Sequence, residues 1–280
     1  MTTAVASTDV PGERITVRRM AFVFTPDIPE NWADDNPMVT ALMAGLSAVF
    51  PPGERYFIES VRHYADRVQD PELRERIRGF IGQEANHSKE HSAFNRFLDG
   101  RGLEVGRIEK FVGERLEALK KRSSPEANLA RTVALEHMTA FLASALLEHP
   151  EVLARVHPTV AAFWAWHAIE EIEHRSVAFD VYKQFVDDER LRLRTMATVT
   201  VLFCTLSAIR TARLMGRTGN LLNLSAWARG LDLMFGRPGV LRKTLPLYRA
   251  YYRRDFHPDQ HDNGAAVERA KSQYLGAISA

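Results

Sequence analysis

The amino-acid sequence predicts an all-α fold, a four-helix bundle with additional helices on its N- and C-terminal sides. Helix signals recur from about residue 38 almost to the end, and no repeat of fixed period is visible. The 280 residues are 45% hydrophobic and 26% charged, which is typical of one globular domain with a sizeable core. We expect an N-terminal arm over residues 1–36, a single helical domain over 37–256 and a peripheral C-terminal tail over 257–280.

The N-terminal half of the chain contains five predicted helices. Residues 1–36 are irregular, with "ITVRRMAFVF" as a candidate extended piece that packs on the body. Prolines and a glycine separate the first two helices, Asp70 with Pro71 starts the third, and Gly100 with Gly102 ends it. The residues "SSPEAN" form a capped start for the fifth. The predicted ranges are about 37–50, 53–68, 71–99, 104–121 and 125–148.

The C-terminal half contains four more predicted helices, over about 157–187, 189–215, 221–235 and 238–254. The most apolar stretch is "TMATVTVLFCTLSAI", residues 195–209, with arginines on both sides. It is shorter than the roughly 20 apolar residues that a bilayer span needs. We therefore expect a buried core helix. The alternative is a helix that touches a membrane surface or lines a channel for a lipid-like substrate.

Charge and cysteine content narrow the functional classes. The chain has 37 Lys and Arg against 35 Asp and Glu, and the net charge of +2 gives no reason to expect nucleic acid as a partner. The single cysteine, Cys204, cannot form an internal disulfide. The first 20 residues lack the apolar run of a secretory signal, so we expect a reducing, cytoplasmic setting.

Two glutamates lie on apolar helix faces. At about 100° per residue, Glu54 aligns with Phe57 and Val61, whereas Glu59 faces the opposite, charged side. An acidic residue near a helix N-terminus is favoured by the helix dipole, which is the alternative explanation for Glu54. Glu136 lies in the middle of an almost entirely apolar helix, where an ionised carboxylate is very costly unless it is paired or bound to a metal.

Two further helices combine glutamate with histidine. In "QEANHSKEH", the residues Glu84, His87 and His91 share one helix face. In "HAIEEIEHRS", Glu171 and His174 form a second Glu-x-x-His motif, and His167 lies one helical turn before Glu171. A single Glu-x-x-His motif has low specificity, since charged helix surfaces produce it by chance.

The four helices together match the ligand rule of ferritin-like dinuclear carboxylate bundles, with a Glu from each of two helices and Glu-x-x-His from each of the other two. We predict a di-metal-binding domain that holds two iron ions, with Mn/Fe or Mn as alternatives. We expect Glu173 to face solvent, and Asp180, Arg175 or Tyr182 to orient the histidines. The predicted ligands are Glu54, Glu84, His87, Glu136, His167, Glu171 and His174, with His91 and Glu170 in reserve.

Several segments resemble a bacterial family of predicted metal-dependent hydrolases. These are "RRMAFVF", "IPENW", "PPGERYFI", "QEANHSKEH", "LEHMTAFLA" and "HAIEEIEHRSVAFDVY", and the resemblance covers about residues 15–255. It implies a di-metal centre at the Glu and His positions above. The spacing His167-x-x-x-Glu171-x-x-His174 is also similar to that of p-aminobenzoate N-oxygenases, ferritin-like di-iron enzymes with an extra histidine four residues before the last Glu. This sequence departs from that pattern because it also offers His91, on the third predicted helix, as an additional or alternative ligand.

Four functions remain open at this stage. The first is a di-iron enzyme that activates O2 to oxygenate, N-oxygenate or desaturate a small, apolar substrate. The others are a dinuclear hydrolase, a non-catalytic ferroxidase or binding bundle, and a metal-free scaffold. We expect a small-molecule substrate, an electron-transfer partner as a candidate, no nucleic acid and a homodimer. Membrane contact is an open alternative that we do not expect. The residues that could shape an apolar pocket are Phe57, Phe141, Phe163, Trp164 and Trp166.

Overall fold

The computed structural model describes residues 15–276, and within this range it contains helices and no β-strand. The all-α prediction is confirmed. A 3₁₀ turn covers Pro258–Gln260 and a π turn covers Lys271–Leu275. The α-helices are α1 Pro37–Ser47, α2 Phe50–Ala65, α3 Pro71–Gly100, α4 Val105–Arg122, α5 Pro125–Glu148, α6 Pro150–Leu153, α7 Pro158–His174, α8 Val177–Phe185, α9 Glu189–Arg217, α10 Leu224–Phe235, α11 Val240–Ala250 and α12 Gly264–Ala270.

The caps that the sequence predicts for α3 and α5 are present. The Asp70 carboxylate accepts hydrogen bonds from the backbone N–H groups of Glu72 and Leu73, at 3.1 and 3.3 Å. The Ser124 hydroxyl accepts one from the Ala127 N–H at 3.3 Å. Gly102, just beyond α3, has a φ of +83°, a conformation that glycine adopts without steric cost. These side chains set the ends of two long helices of the body.

Among the predicted boundaries that differ from the structure, two have a local cause. Helix α2 begins at Phe50 rather than at residue 53, because Pro51 and Pro52 occupy the first helical positions, where a missing N–H breaks no hydrogen bond. The helix predicted over about 157–187 is divided into α7 and α8 by a turn at Arg175 and Ser176. The Ser176 carbonyl accepts from the Asp180 N–H at 2.8 Å and so opens the new helix.

Helices α2, α3, α5 and α7 contact one another in a closed ring. Helix α2 packs against α3 and α5, and α7 packs against the same two helices. Helix α1 lies against α9 and α10, while α4 covers α2 and α3. These four helices form a closed ring, and the remaining helices of the described range lie around it.

The described part of the arm, residues 15–36, packs on α3. A Cβ atom added to Gly79 would lie 2.5 Å from Cβ of Ile15, and one added to Gly82 would lie 2.6 Å from a methyl carbon of Val17. The two glycines therefore let the arm approach the α3 backbone. Residues 15–25 have no regular secondary structure, and residues 1–14 of the predicted arm lie outside the described range.

Helix α9 lies at the surface. The sequence predicts a buried core helix over residues 195–209, and this prediction is wrong. Only 22% of the most apolar 18-residue window of α9 is buried, since α1 and α5 cover one face of the helix and leave the other uncovered. The ring of α2, α3, α5 and α7 already fills the interior, so α9 packs against its outside.

The C-terminal tail is more closely packed than the sequence suggests. The sequence predicts a peripheral segment from residue 257, but Ala266, Val267 and Ala270 are buried. They belong to an apolar cluster with residues of α5 and α7, the helices on which α12 packs. The tail therefore covers part of the ring.

Candidate metal centre

The structure brings the seven predicted ligands together inside the ring of four helices. Two groups of three have ligand atoms that all lie within 4.8 Å of one another, and either group could hold a metal ion. The seventh residue, Glu136, lies with its Oε2 atom 3.5 Å from Nε2 of His174. The first group is Glu54, His87 and His167, and the second is Glu84, Glu171 and His174.

Helix periodicity explains this convergence. On α3, Glu84 and His87 are three residues apart, and on α7 the same spacing joins Glu171 to His174, so each pair shares one helix face. Helices α2 and α5 contribute one glutamate each from their interior faces. All seven side chains are buried, with at most 4% of each residue exposed.

Glu171 lies between the two groups. Its Oε1 atom is 3.1 Å from Nε2 of His167 and 3.6 Å from Nδ1 of His87, whereas Oε2 is 3.7 Å from Nε2 of His174. Glu84 spans the same gap, with Oε1 at 3.2 Å from His174 Nε2 and Oε2 at 4.0 Å from His87 Nδ1. These two carboxylates can therefore each reach both cation positions.

The atoms that face the centre are buried and have no hydrogen-bond partner in the described structure. A buried polar atom without a partner is costly, and ten such atoms in one place fit a site that could hold cations. Four carboxylates also balance the charge of two divalent metal ions, so the donor set fits a dinuclear centre. The atoms are both carboxylate oxygens of Glu54, Glu84 and Glu136, Oε2 of Glu171, Nδ1 of His87, and Nε2 of His167 and His174.

Each of the three histidines uses its other ring nitrogen to contact an orienting residue. Nε2 of His87 lies 3.0 Å from a carboxylate oxygen of Glu170. Nδ1 of His174 lies 2.8 Å from Oε1 of Gln83, whose amide nitrogen donates to other groups. His174 therefore donates from Nδ1 and presents the lone pair of Nε2 to the centre. Glu170 has a carboxylate that orients a histidine, and it lies outside both candidate groups.

The third histidine, His167, is oriented through a chain of hydrogen bonds. Its Nδ1 atom lies 2.8 Å from Nε2 of His91, and Nδ1 of His91 lies 2.9 Å from the Ser47 hydroxyl. Ser47 donates to Oδ1 of Asn95 at 2.7 Å, so its oxygen accepts from His91. His91 therefore carries its proton on Nδ1, and its Nε2 accepts the Nδ1 proton of His167. Nε2 of His167 is left with a free lone pair that can bind a cation. Both ring nitrogens of His91 have partners, which places His91 behind the centre.

The chain of hydrogen bonds behind His167 continues to the molecular surface. Nδ2 of Asn95 donates to the Glu109 carboxylate at 2.9 Å. Asn95 and Glu109 both line an open surface cavity of about 440 Å³ between α3 and α4. The orientation of His167 is therefore connected to residues that border solvent.

Arg18 from the N-terminal arm ties two further glutamates together. Its guanidinium donates to Glu170 at 3.1 Å and to both oxygens of Glu173 at 2.7 and 2.8 Å. The prediction that Glu173 faces solvent is wrong, because Arg18, Gln83 and Lys271 surround its carboxylate. Although burial opposes the shift, hydrogen bonds from Arg18 lower the pKa of Glu173. Sequence reasoning gave no role to Arg18 or Gln83, since neither lies near its partners along the chain.

The predicted orienting residues Asp180, Arg175 and Tyr182 serve other contacts. Asp180 pairs with Arg76 at 2.7 Å and with His257 at 2.9 Å. Arg175 binds groups of the C-terminal tail, and the Tyr182 hydroxyl donates to a backbone carbonyl at the start of α9. Residues close in sequence to the ligands on α7 turn away from the centre, because the chain changes direction after His174.

Aromatic rings surround the ligand histidines. Trp166 packs edge-on against His87 with ring centroids 4.9 Å apart, and Phe163 and Trp164 contact His91. Phe50, which sequence reasoning did not select, stacks on His167 at 4.7 Å. The predicted pocket residues Phe57 and Phe141 instead pack among the helices, Phe57 in an apolar cluster and Phe141 against Tyr248.

The charges of the centre interact strongly when no cation is bound. Burial, followed by the charge of Glu84, raises the pKa of Glu54 and of Glu136. Burial also lowers the pKa of His87 to about 3, which keeps its imidazole neutral. His174 shows the opposite shift: although burial opposes it, the neighbouring carboxylates of Glu171 and Glu84 raise its pKa. Protons therefore compete with metal ions for these side chains.

The fold and the buried ligand groups define a helical protein built to hold metal ions between its helices. A sequence profile for the family described as "predicted metal-dependent hydrolase" matches residues 16–262, and the chain belongs to this family. The resemblance to that family seen in the sequence is thereby confirmed. No curated protein and no solved structure gives a significant match.

Proposed function

We propose that the protein is a ferritin-like dinuclear metal enzyme that uses iron and O2 to oxidise a small, apolar organic substrate. The observation that carries this proposal is the set of four carboxylates and three imidazoles from four helices, with partnerless atoms that face one another. Carboxylate-rich sites of this composition in helical bundles are typical of di-iron and di-manganese proteins. The family description alone supports the coarser statement, a metal-dependent enzyme.

Different side chains would hold each of the two cations. Glu54, His87 and His167 would bind one ion, whereas Glu136 and His174 would bind the other. Glu84 and Glu171 would help to hold either ion, since each carboxylate approaches histidines of both groups. A bound iron pair would supply the redox equivalents for reaction with O2, which no side chain of the cluster supplies.

The surroundings of the centre favour oxidation of an apolar molecule. The rings of Phe50 and Trp166 are buried beside His167 and His87, and Phe163 packs against His91 behind them, so that these rings keep water away from this side of the cluster. Exclusion of water protects a reactive oxidant and favours binding of an apolar substrate. Gln83 and Glu170 hold the imidazoles in place, and the chain through His91 keeps the lone pair of His167 directed at the cation.

Metal-dependent hydrolysis is the second candidate, and the family description favours it directly. A divalent cation in the same site would lower the pKa of a bound water molecule and polarise the bond to be cleaved. This chemistry needs neither O2 nor a redox-active metal. The two candidates therefore differ in their metal requirement, although they use the same ligands.

Metal reconstitution separates the candidates. Metal-free protein would be loaded anaerobically with Fe(II), Mn(II) or Zn(II), and the bound metal counted by elemental analysis. We expect about two ions per chain and O2 uptake by the Fe(II) form alone. Glu136→Gln should lower both metal content and O2 uptake, whereas Glu59→Gln, an exposed glutamate on α2, should change neither.

The opposite results would decide against oxidation. Anaerobic cleavage of ester, amide or phosphoester substrates by the Zn(II) form, without O2 uptake by the Fe(II) form, would establish the hydrolase. O2 uptake without oxidation of any added compound would favour a ferroxidase. Protein that binds no metal and remains unchanged by Glu136→Gln would leave only a structural scaffold.

The partners of the enzyme are part of the same proposal. An O2-dependent oxidation needs electrons, so we include an electron-transfer partner, together with a homodimer and a cytoplasmic location. Light scattering would give the mass of the assembly in solution. Reduction of the loaded iron by a purified ferredoxin or flavodoxin would test the electron donor.

A further inference from the structure

Helix α9 presents an uncovered apolar face to solvent. Leu202, Leu206 and Ile209 are 53%, 45% and 56% exposed, and no charged residue occurs between residues 195 and 209. This uncharged stretch is roughly 22 Å long at 1.5 Å per residue. A contiguous exposed apolar surface on a soluble protein marks an interaction site more often than chance.

The opposite face of α9 is bound to the body of the protein. Met196, Val199 and Leu214 are buried against neighbouring helices, and the Arg192 guanidinium donates to backbone carbonyls near the end of α11. Although α9 is long and apolar enough to cross a membrane by length and composition, that property alone is weak support for a span. A helix packed along one side lies on the surface of the protein, where its free side can touch a flat partner.

Further exposed leucines follow the end of α9 in the chain. Leu221 and Leu222 lie in the turn after the helix, and Leu224 begins α10. Leu222 is 86% exposed, the largest exposed fraction among the large apolar side chains of residues 15–276. The segment directly after α9 therefore adds three exposed leucines to those of the helix.

Positive charge is concentrated in the part of the chain that contains this apolar surface. Residues 189–254 contain 13 Arg and Lys but only two Asp and Glu, a net charge of +11, whereas the whole chain carries +2. Arg190 and Arg194 precede the uncharged stretch of α9, and Arg213 follows it. On a helix with 100° per residue, Arg194 and Arg213 fall within about 120° of the exposed leucines. Cationic side chains thus flank both ends of one apolar stripe.

We propose that this apolar-basic face, defined by Arg194, Leu202, Leu206, Ile209, Arg213 and Leu222, binds the surface of an anionic lipid bilayer. The leucines and Ile209 enter the boundary between headgroups and acyl chains, and the arginines contact the anionic headgroups. A second copy of the chain fits this face less well, because two regions of net charge +11 would repel each other. This proposal does not depend on the reaction at the metal centre.

Vesicle flotation tests the proposal with the full chain. Wild-type protein should float with phosphatidylcholine vesicles that contain about 30% phosphatidylglycerol and remain unbound with pure phosphatidylcholine. Raising NaCl from about 0.1 to 0.5 M should release most of the bound protein, since the Debye length shortens. The double variant Leu202→Gln/Leu206→Gln should lower the partition coefficient at least about tenfold, and Arg194→Gln/Arg213→Gln should lower it by a similar factor.

The control variant is Phe111→Gln, which changes an equally exposed apolar side chain on α4. It should leave vesicle binding unchanged within about twofold, and circular dichroism should show every variant folded. Two results would overturn the proposal. One is wild-type protein that stays with the soluble fraction at all lipid compositions. The other is a wild-type dimer that Leu202→Gln/Leu206→Gln converts into monomers without any change in vesicle binding, since the face would then serve a second copy.

Discussion

The ligand cluster and the apolar-basic face depart from the usual distribution of side chains in opposite ways. The cluster buries four carboxylates and three imidazoles among α2, α3, α5 and α7, whereas α9 exposes leucines and an isoleucine to solvent. Most charged side chains in proteins are exposed, and large apolar ones are usually covered. Each departure costs free energy in the isolated chain, and in each case the binding partner that we propose would remove the cost.

The two regions differ in what the missing component must supply. The cluster needs positive charge, because its carboxylates cannot all ionise together without cations. The apolar-basic face needs an apolar surface with negative charge at its edges. A buried unsatisfied polar group and an exposed apolar side chain both raise the free energy of the isolated protein. In both cases, the binding event that removes this cost indicates the kind of partner.

The largest effect is expected from Glu171, the carboxylate between the two groups. Glu171→Ala should lower the affinity for both metal ions by more than about 100-fold, since loss of a residue that only orients a ligand already costs 10- to 100-fold. Equilibrium dialysis with Mn(II) or Fe(II) measures this change. A variant that keeps both ions at wild-type affinity would remove Glu171 from the centre. Glu59→Gln, which changes the exposed glutamate on α2 that pairs with Lys120, is the control and should retain both ions.

The dependence of stability on pH should separate the metal-bound from the metal-free protein. The folded-state pKa values of Glu54 and Glu136 lie above 4.5, so their contribution to stability is present below pH 4.5 and is lost as the pH rises. Bound cations replace those protons and remove the loss. The increase in Tm on addition of Mn(II) should therefore be larger at pH 8 than at pH 5.5.

Thermal unfolding with and without metal at the two pH values measures this difference. With metal at about 1,000 times its Kd, the stabilisation should approach 4 kcal/mol at the higher pH. The variant Glu54→Gln/Glu136→Gln should abolish the difference between the two pH values. An equal metal-induced Tm shift at pH 5.5 and 8 in the wild type would contradict the competition between protons and metal.

A smaller effect is expected from the residue that orients His174. Gln83→Leu removes the acceptor for the Nδ1 proton and should lower metal affinity by about 10- to 100-fold, with the ligands themselves unchanged. Gln83→Glu keeps an acceptor at the same position and should restore most of the affinity. Isothermal titration with Mn(II) compares the three proteins. Equal affinities in all of them would show that the hydrogen bond to His174 has no role in binding.

The smallest effect is expected from a substitution in the apolar-basic face, measured as a change in the stability of the protein. Leu206→Ser removes an exposed side chain from a helix whose other side is packed, so the free energy of unfolding should change by less than about 0.5 kcal/mol. Phe80→Ala, in the apolar interior, provides the contrast and should destabilise by about 3 to 5 kcal/mol. Urea denaturation measures both. A large loss in Leu206→Ser would mean that α9 is covered in solution.

Much of the fold could be predicted because the signals are local. Asp70 and Ser124 cap helices where the sequence predicts, and the interior positions of Glu54 and Glu136 follow from helix periodicity. The signal for His91 and Glu170 was also present, since both share a face with predicted ligands. Their role as orienting residues was not predictable, because it depends on contacts between α3 and α7 that spacing within one helix does not encode.

Other features depend on partners that are distant in sequence. Glu173 is covered by Arg18, 155 residues earlier in the chain, and His174 is oriented by Gln83, 91 residues away. Apolar composition alone does not distinguish a buried helix from one that is covered on a single side. For this reason the sequence predicts a buried core helix where α9 lies at the surface. Which side of a helix is covered depends on how many neighbours the fold supplies.

The all-α class and the order of glutamates and histidines follow from the amino-acid sequence, since helix caps and the spacing of three or four residues act within single helices. The convergence of the two candidate groups around Glu171 and the uncovered side of α9 arise only in the folded protein. Both outcomes depend on helix packing, in which long-range contacts select the faces that become interior.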